Sequence, residues 1–191
     1  MSHLPNALTV GRIVVVPIFV AVLFLPGGFA RWTAFALFCL AGISDVLDGA
    51  MARKLGATTP FGRMLDPIAD KLIVSAALLM LAADGTISGL SLIPALVILC
   101  REILVSGLRE FLAQADVSVP VTRIAKFKTA LQMIAVGALI MGPAGEAFVT
   151  GSVWIAHALL WIAGTLTLYT GYAYLQVGLA HARAPKGRET P

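Results

Sequence analysis

The chain has 191 residues, 59% of them apolar and only 13% charged, with a formal net charge of +4 and a mean hydropathy of +0.91. A soluble domain carries about 25% charged residues, so a water-facing surface is excluded, and with it the soluble, disordered and disulfide-rich secreted classes. Cys39 and Cys100 lie far apart within apolar runs and suggest neither a disulfide framework nor a thiolate metal site.

Apolar runs fall in chain order at about Ala7–Leu25, Ala30–Leu55, Leu65–Ala83, Leu90–Leu112, Ile124–Met141 and Phe148–Leu179. The breaks between them carry turn chemistry: Pro26-Gly27-Gly28, Gly56 to Gly62 with Pro60, Asp84-Gly85, Asp116 to Pro120, and Gly142-Pro143 with Gly145. A spanning helix needs about 20 apolar residues, so the pattern predicts an all-α, six-transmembrane-helix bundle. It forms one integral-membrane domain over 1–191, with a short tail from about 181. No small-residue cleavage site follows the first run, which reads as a retained helix and not as a signal peptide. The alternation of an outer-membrane barrel is missing.

Lys and Arg give the orientation, because cytoplasmic loops carry their excess. Arg12, Arg53, Lys54, Arg63, Lys71, Arg109, Arg123, Lys126 and Lys128, with Arg183, Lys186 and Arg188 of the tail, all map to one side, whereas the first, third and fifth connections hold only Arg31. Both termini are therefore expected in the cytoplasm, which agrees with an even number of spans. The basic balance suits anionic membrane lipids as partners, and no nucleic acid is expected, since neither stacking aromatics nor a groove-reading module accompanies it.

Ionisable groups in spanning helices are costly, so each points to function until a partner neutralises it. Of ten acidic residues, four lie within 26 residues: Asp45, Asp48, Asp66 and Asp70. Asp45, Asp48, Gly49 and Ala52 share one stripe of the second helix, and Arg63, Asp66 and Asp70 one face of the third. The short connection makes these helices antiparallel neighbours, so the two carboxylate pairs are expected to face each other across a cleft near the cytoplasmic surface. Four such carboxylates repel unless cations compensate. Arg53, Arg63 and Lys71 supply part of that charge. Hard divalent cations supply the rest in the reading favoured here: carboxylate oxygens suit Mg²⁺ or Mn²⁺, and the stretch has no His to favour zinc. A purely structural Asp–Arg network is the alternative. Gly49 and Ala52 leave room beside the aspartates for a ligand to approach backbone.

A second polar set, Arg101, Glu102, Ser106, Arg109 and Glu110 on the fourth helix and Lys126, Lys128, Thr129 and Gln132 on the fifth, contains the cations that an anionic second substrate needs. Arg63, Arg101, Arg109, Lys126 and Lys128 are the candidates for binding its phosphate. Arg101, about ten residues inside its helix, is an alternative partner for a buried acid such as Glu102.

The run from Asp45 to Asp70, DVLDGAMARKLGATTPFGRMLDPIAD, resembles the signature of the CDP-alcohol phosphatidyltransferase family. Asp45, Asp48, Gly49, Ala52, Arg53, Gly62, Asp66 and Asp70 all stand at its spacing, and Pro5-Asn6-Ala7-Leu8-Thr9 with Arg12 looks like the family's opening. The stretches REILVSGLREFLA (Arg101 to Ala113) and IAKFKTALQM (Ile124 to Met133) are similar to the bacterial branch that makes phosphatidylglycerophosphate. The resemblance implies a metal-dependent enzyme of phospholipid biosynthesis that joins the phosphatidyl group of CDP-diacylglycerol to glycerol 3-phosphate and releases CMP. It implies an active site at the cytoplasmic face of the bacterial inner membrane, and a homodimer. It implies that Asp45, Asp48, Asp66 and Asp70 hold two Mg²⁺ or Mn²⁺ ions. It implies further that Asp70 acts as general base and that Asn6, Asp48, Gly49, Ala52, Arg53 and Thr59 shape the CDP-diacylglycerol site. Serine, inositol phosphate or phosphatidylglycerol as acceptor is the runner-up. An ion or proton transporter is a remote alternative, because the acids sit at one face and no inverted repeat with broken helices is visible.

Overall fold

A computed structural model of the protein describes the backbone of residues 3–55, 60–114 and 123–183, and the side chains of 10–45, 65, 68–69, 71–113, 124–172, 174–176 and 178–179. The described residues form α1 (His3–Leu23), α2 (Gly28–Leu55), α3 (Pro60–Ala83), a 3₁₀ turn (Gly89–Ser91), α4 (Leu92–Gln114), α5 (Arg123–Glu146) and α6 (Ser152–Arg183), with no strand among them. Among the described residues, three stretches are long and apolar enough to cross a membrane: Gly89–Ala113, Ile124–Glu146 and Ser152–Gln176. Val10–Leu23 and Lys71–Ala83 are shorter apolar helical segments. Large apolar side chains such as Phe29, Leu79, Phe127, Ile134 and Trp154 stay exposed, a surface that lipid satisfies and water does not.

Six long helices thus lie over the six apolar runs, and glycines set the breaks. Gly27, Gly85 and Gly151 have φ of +99°, +79° and +84°, backbone that a side chain disfavours. At one expected break the helix continues. α5 runs on to Glu146 instead of ending at Met141, with a kink at Gly142 (φ +46°, ψ −127°). Pro143 has no N–H to donate to Leu139, so the ladder is interrupted there in any case. The Arg31 guanidinium donates to the Ile140 carbonyl at 3.3 Å beside this kink.

The interior is a stack of apolar side chains from all six helices, including Phe19, Phe38, Ile73, Leu81, Ile98, Leu139, Ile140 and Leu160. The Phe19 and Phe38 rings lie 6.3 Å apart. α1 packs against both α2 and α3, whereas direct packing between α2 and α3 is sparse among the described residues. The expected helix 2–helix 3 neighbourhood therefore has α1 as its third member.

α4 and α6 meet along a repeat of seven. A Cβ added at Gly164, Gly171 or Gly178 would stand 2.8 Å from Pro94, 3.0 Å from Arg101 and 2.6 Å from Leu108. Both series advance by seven in the same direction, so the helices run parallel with the near-integral side-chain register of a left-handed supercoil. The small stripe lets the backbones approach closely. Its central notch is filled by an arginine.

Candidate active site

A cavity of about 970 Å³ opens between α2, α3, α4 and α5. Its charged end is lined by Arg12 of α1, Asp45 of α2, Lys71 of α3, Arg101, Glu102 and Arg109 of α4, and Lys126, Lys128, Thr129 and Gln132 of α5. Phe35, Phe38, Gly137 and Met141 line its other end. Helical spacing explains the grouping on each element. Glu102, Val105 and Arg109 recur on one face of α4, as do Ala125, Lys128, Thr129 and Gln132 on α5.

Asp45 is half-exposed, and its Oδ1 accepts from the Arg12 guanidinium at 2.9 Å. Arg12 itself is buried. The other three motif aspartates lie on the helices where the spacing predicts them, Asp48 on α2 and Asp66 and Asp70 on α3. Their side chains lie outside the described residues, as do those of Asn6, Gly49, Ala52, Arg53 and Arg63, and Thr59 as a whole. Among the described residues no three His, Cys, Asp or Glu side chains converge. Of the four motif aspartates, Asp45 is the one with a described side chain, a half-exposed carboxylate at the cavity with one oxygen on Arg12; an anionic oxygen of this kind is the ligand type a hard divalent cation takes.

Four of the five expected phosphate-binding cations, Arg101, Arg109, Lys126 and Lys128, line this same cavity with Asp45. Arg109 and Lys126 are exposed, whereas the Lys128 side chain is only 2% exposed. Lys128 and Lys71 both donate to Glu102, one to each carboxylate oxygen, and Arg101 Nη1 donates to the Lys128-bound oxygen at 3.2 Å. Arg101 is held from its far side as well. Its Nη2 donates to the Thr170 hydroxyl at 3.3 Å, and its guanidinium carbon lies 5.9 Å from the centre of the Tyr174 ring. Gly171 gives the arginine stem its space. The pairing of Arg101 with Glu102 read from sequence is thus present, within a larger cluster.

The sequence places Lys71 beside the aspartates as a compensating charge and Glu102 and Gln132 in the second polar set, but gives none of them, nor Arg12, a binding role. A usable signal existed for Glu102, an acid deep in an apolar run. Only the fold brings Arg12 and Lys71 to the lining of one cavity with the cations of α4 and α5.

Comparison with known proteins agrees with the geometry. The model of the CDP-alcohol phosphatidyltransferase family matches residues 2–169. The chain belongs to this family. A CDP-diacylglycerol–glycerol-3-phosphate 3-phosphatidyltransferase of Rickettsia typhi is 47% identical over 176 residues, covering 92% of this chain and 97% of the relative. Proteins of the same name from Rickettsia prowazekii, 47% identical over 92% of this chain and 94% of the relative, and from Pseudomonas fluorescens, 40% identical over 98% and 95%, are similarly close. The names of these relatives give two anionic substrates, CDP-diacylglycerol and glycerol 3-phosphate, and the cavity is lined by cations.

Proposed function

We propose that this family member transfers the phosphatidyl group of CDP-diacylglycerol to glycerol 3-phosphate, giving phosphatidylglycerophosphate and CMP. The observation that carries the reading is one cavity lined by Asp45 of the aspartate motif together with Arg101, Arg109, Lys126 and Lys128; the names of the relatives supply the acceptor. Asp45, Asp48, Asp66 and Asp70 would hold one or two Mg²⁺ or Mn²⁺ ions, whose Lewis acidity, when bound, neutralises pyrophosphate charge. Asn6, Gly49, Ala52, Arg53 and Thr59 shape the cytidine end. Arg63, Arg109, Lys126 and Lys128 hold the acceptor phosphate. Asp70 takes the proton of the primary hydroxyl of glycerol 3-phosphate while that oxygen attacks the phosphorus bearing the diacylglycerol. The bond from this phosphorus to the bridging oxygen breaks, and CMP leaves with the electron pair.

The same reading has all six helices spanning the bacterial inner membrane as a single domain, with both termini and the charged end of the cavity at the cytoplasmic face, where water-soluble glycerol 3-phosphate arrives. A homodimer is part of the proposal by family resemblance. The test is turnover of purified enzyme in vesicles containing CDP-diacylglycerol, offered radiolabelled glycerol 3-phosphate, serine, inositol phosphate or phosphatidylglycerol. Labelled phosphatidylglycerophosphate is expected from the first alone, and its loss is expected when divalent ions are chelated. Turnover with another acceptor would replace the assignment, and full activity in chelator would refute the metal reading.

A further inference from the structure

The cation cluster has a centre that is not itself a cation. Glu102 is buried, with its side chain 8% exposed, and it accepts from Lys71, Arg101 and Lys128, which belong to three different helices. The fully buried Lys128 cannot keep its charge in an apolar bundle without such a partner, because desolvation of an isolated ammonium is prohibitive. One carboxylate facing three cations leaves an excess of positive charge at this point of the cavity. Each ammonium also retains N–H donors beyond the one that Glu102 receives.

We propose that Glu102 is a positioning residue for the acceptor. It draws Lys71 and Lys128 to its two oxygens and preassembles a doubly cationic seat for the dianionic phosphate of glycerol 3-phosphate. This rests on the acceptor assignment above. Glu102 makes no bond to the substrate in this scheme. It holds α3, α4 and α5 together at the point where the two ammoniums meet. Arg101 is anchored from α6 by Thr170, Tyr174 and the Gly171 notch, so it serves as the fixed post of the cluster, while the two lysines face the ligand.

The full-length enzyme in CDP-diacylglycerol vesicles tests this with Glu102→Gln, which keeps the side-chain volume and removes the charge. The KM for glycerol 3-phosphate is expected to rise by about tenfold or more, with the KM for CDP-diacylglycerol changed by less than about twofold and Glu102→Asp intermediate. Lys128→Gln combined with Glu102→Gln is expected to cost little more than the worse single variant, because both act through one pair. An unchanged acceptor KM, equal rises for both substrates, or additive effects would overturn the positioning role. If Glu102→Gln does not fold, Glu102→Asp takes the same test, and an unchanged acceptor KM there overturns it equally. Wild-type enzyme that turns over another acceptor and not glycerol 3-phosphate would overturn the acceptor assignment and this role with it. Wild-type turnover with an insensitive Glu102 overturns the role alone.

Discussion

Asp45 and Glu102 show how the same side-chain chemistry serves two purposes in one cavity. Asp45 gives one oxygen to a buried arginine and stays half-exposed, a carboxylate held at fixed orientation with room for further ligation. Glu102 is buried and fully surrounded by cations, so its charge organises neighbours. The distinction is one of burial, which residue type cannot reveal. Asp70 differs from both in the role proposed for it, because it must exchange a proton. Asp70→Asn keeps an oxygen donor but removes the base, so transfer is expected to fall by about two to four orders of magnitude while CDP-diacylglycerol binding persists; equilibrium binding to donor-containing vesicles beside a turnover assay checks this. Full turnover in that variant would assign the proton transfer elsewhere.

At the level of elements, the α4–α6 contact is the most exacting. The sequence shows Gly164, Gly171 and Gly178 at intervals of seven, yet many membrane helices carry small residues, and the partner stripe Pro94, Arg101 and Leu108 contains a proline, a cation and a leucine. No pattern of hydrophobicity links the two series. The close approach emerges only when the helices are laid side by side. Gly164→Ala places a methyl group 2.8 Å from the Pro94 side chain and 3.1 Å from its Cα. Overpacking of this kind costs about 1–3 kcal/mol. Gly107→Ala, on the exposed face of α4 with no described atom within 4 Å of the new methyl, is expected to be neutral or to stabilise by up to about 1 kcal/mol through helix propensity. Thermal unfolding of the two variants in one detergent checks the contrast, and equal shifts would show that the glycine stripe is not tightly packed.

Across the whole molecule, the described charged side chains gather mainly towards the two ends of the helices. One is the cavity end, and the other is a clamp at the opposite end of the helices. There Arg31 donates to Asp84 at 2.6 Å, to the Thr86 hydroxyl at 3.3 Å and to the Ile140 carbonyl, tying the start of α2 to the α3–α4 connection and to the kink of α5. His157 of α6 adds a contact to the Thr86 carbonyl at 3.1 Å. Arg31→Met is expected to lower the unfolding midpoint by a few degrees, since about 1 kcal/mol shifts it by 2–4 °C at this chain length. Both substrate KM values are expected to stay as they are, because the clamp residues are not among the charged side chains that line the cavity; a changed KM would show that the two ends are coupled. The sequence by itself determined the solvent, the all-helical architecture, the aspartate motif and the family, because each is written in local composition or fixed spacing. Only the tertiary structure decided that α1 packs against both motif helices, that Arg12 pairs with Asp45, and that Glu102 gathers Lys71, Arg101 and Lys128. Such pairings join residues up to 33 positions apart, and buried charges find partners across helices, where chain spacing carries no information.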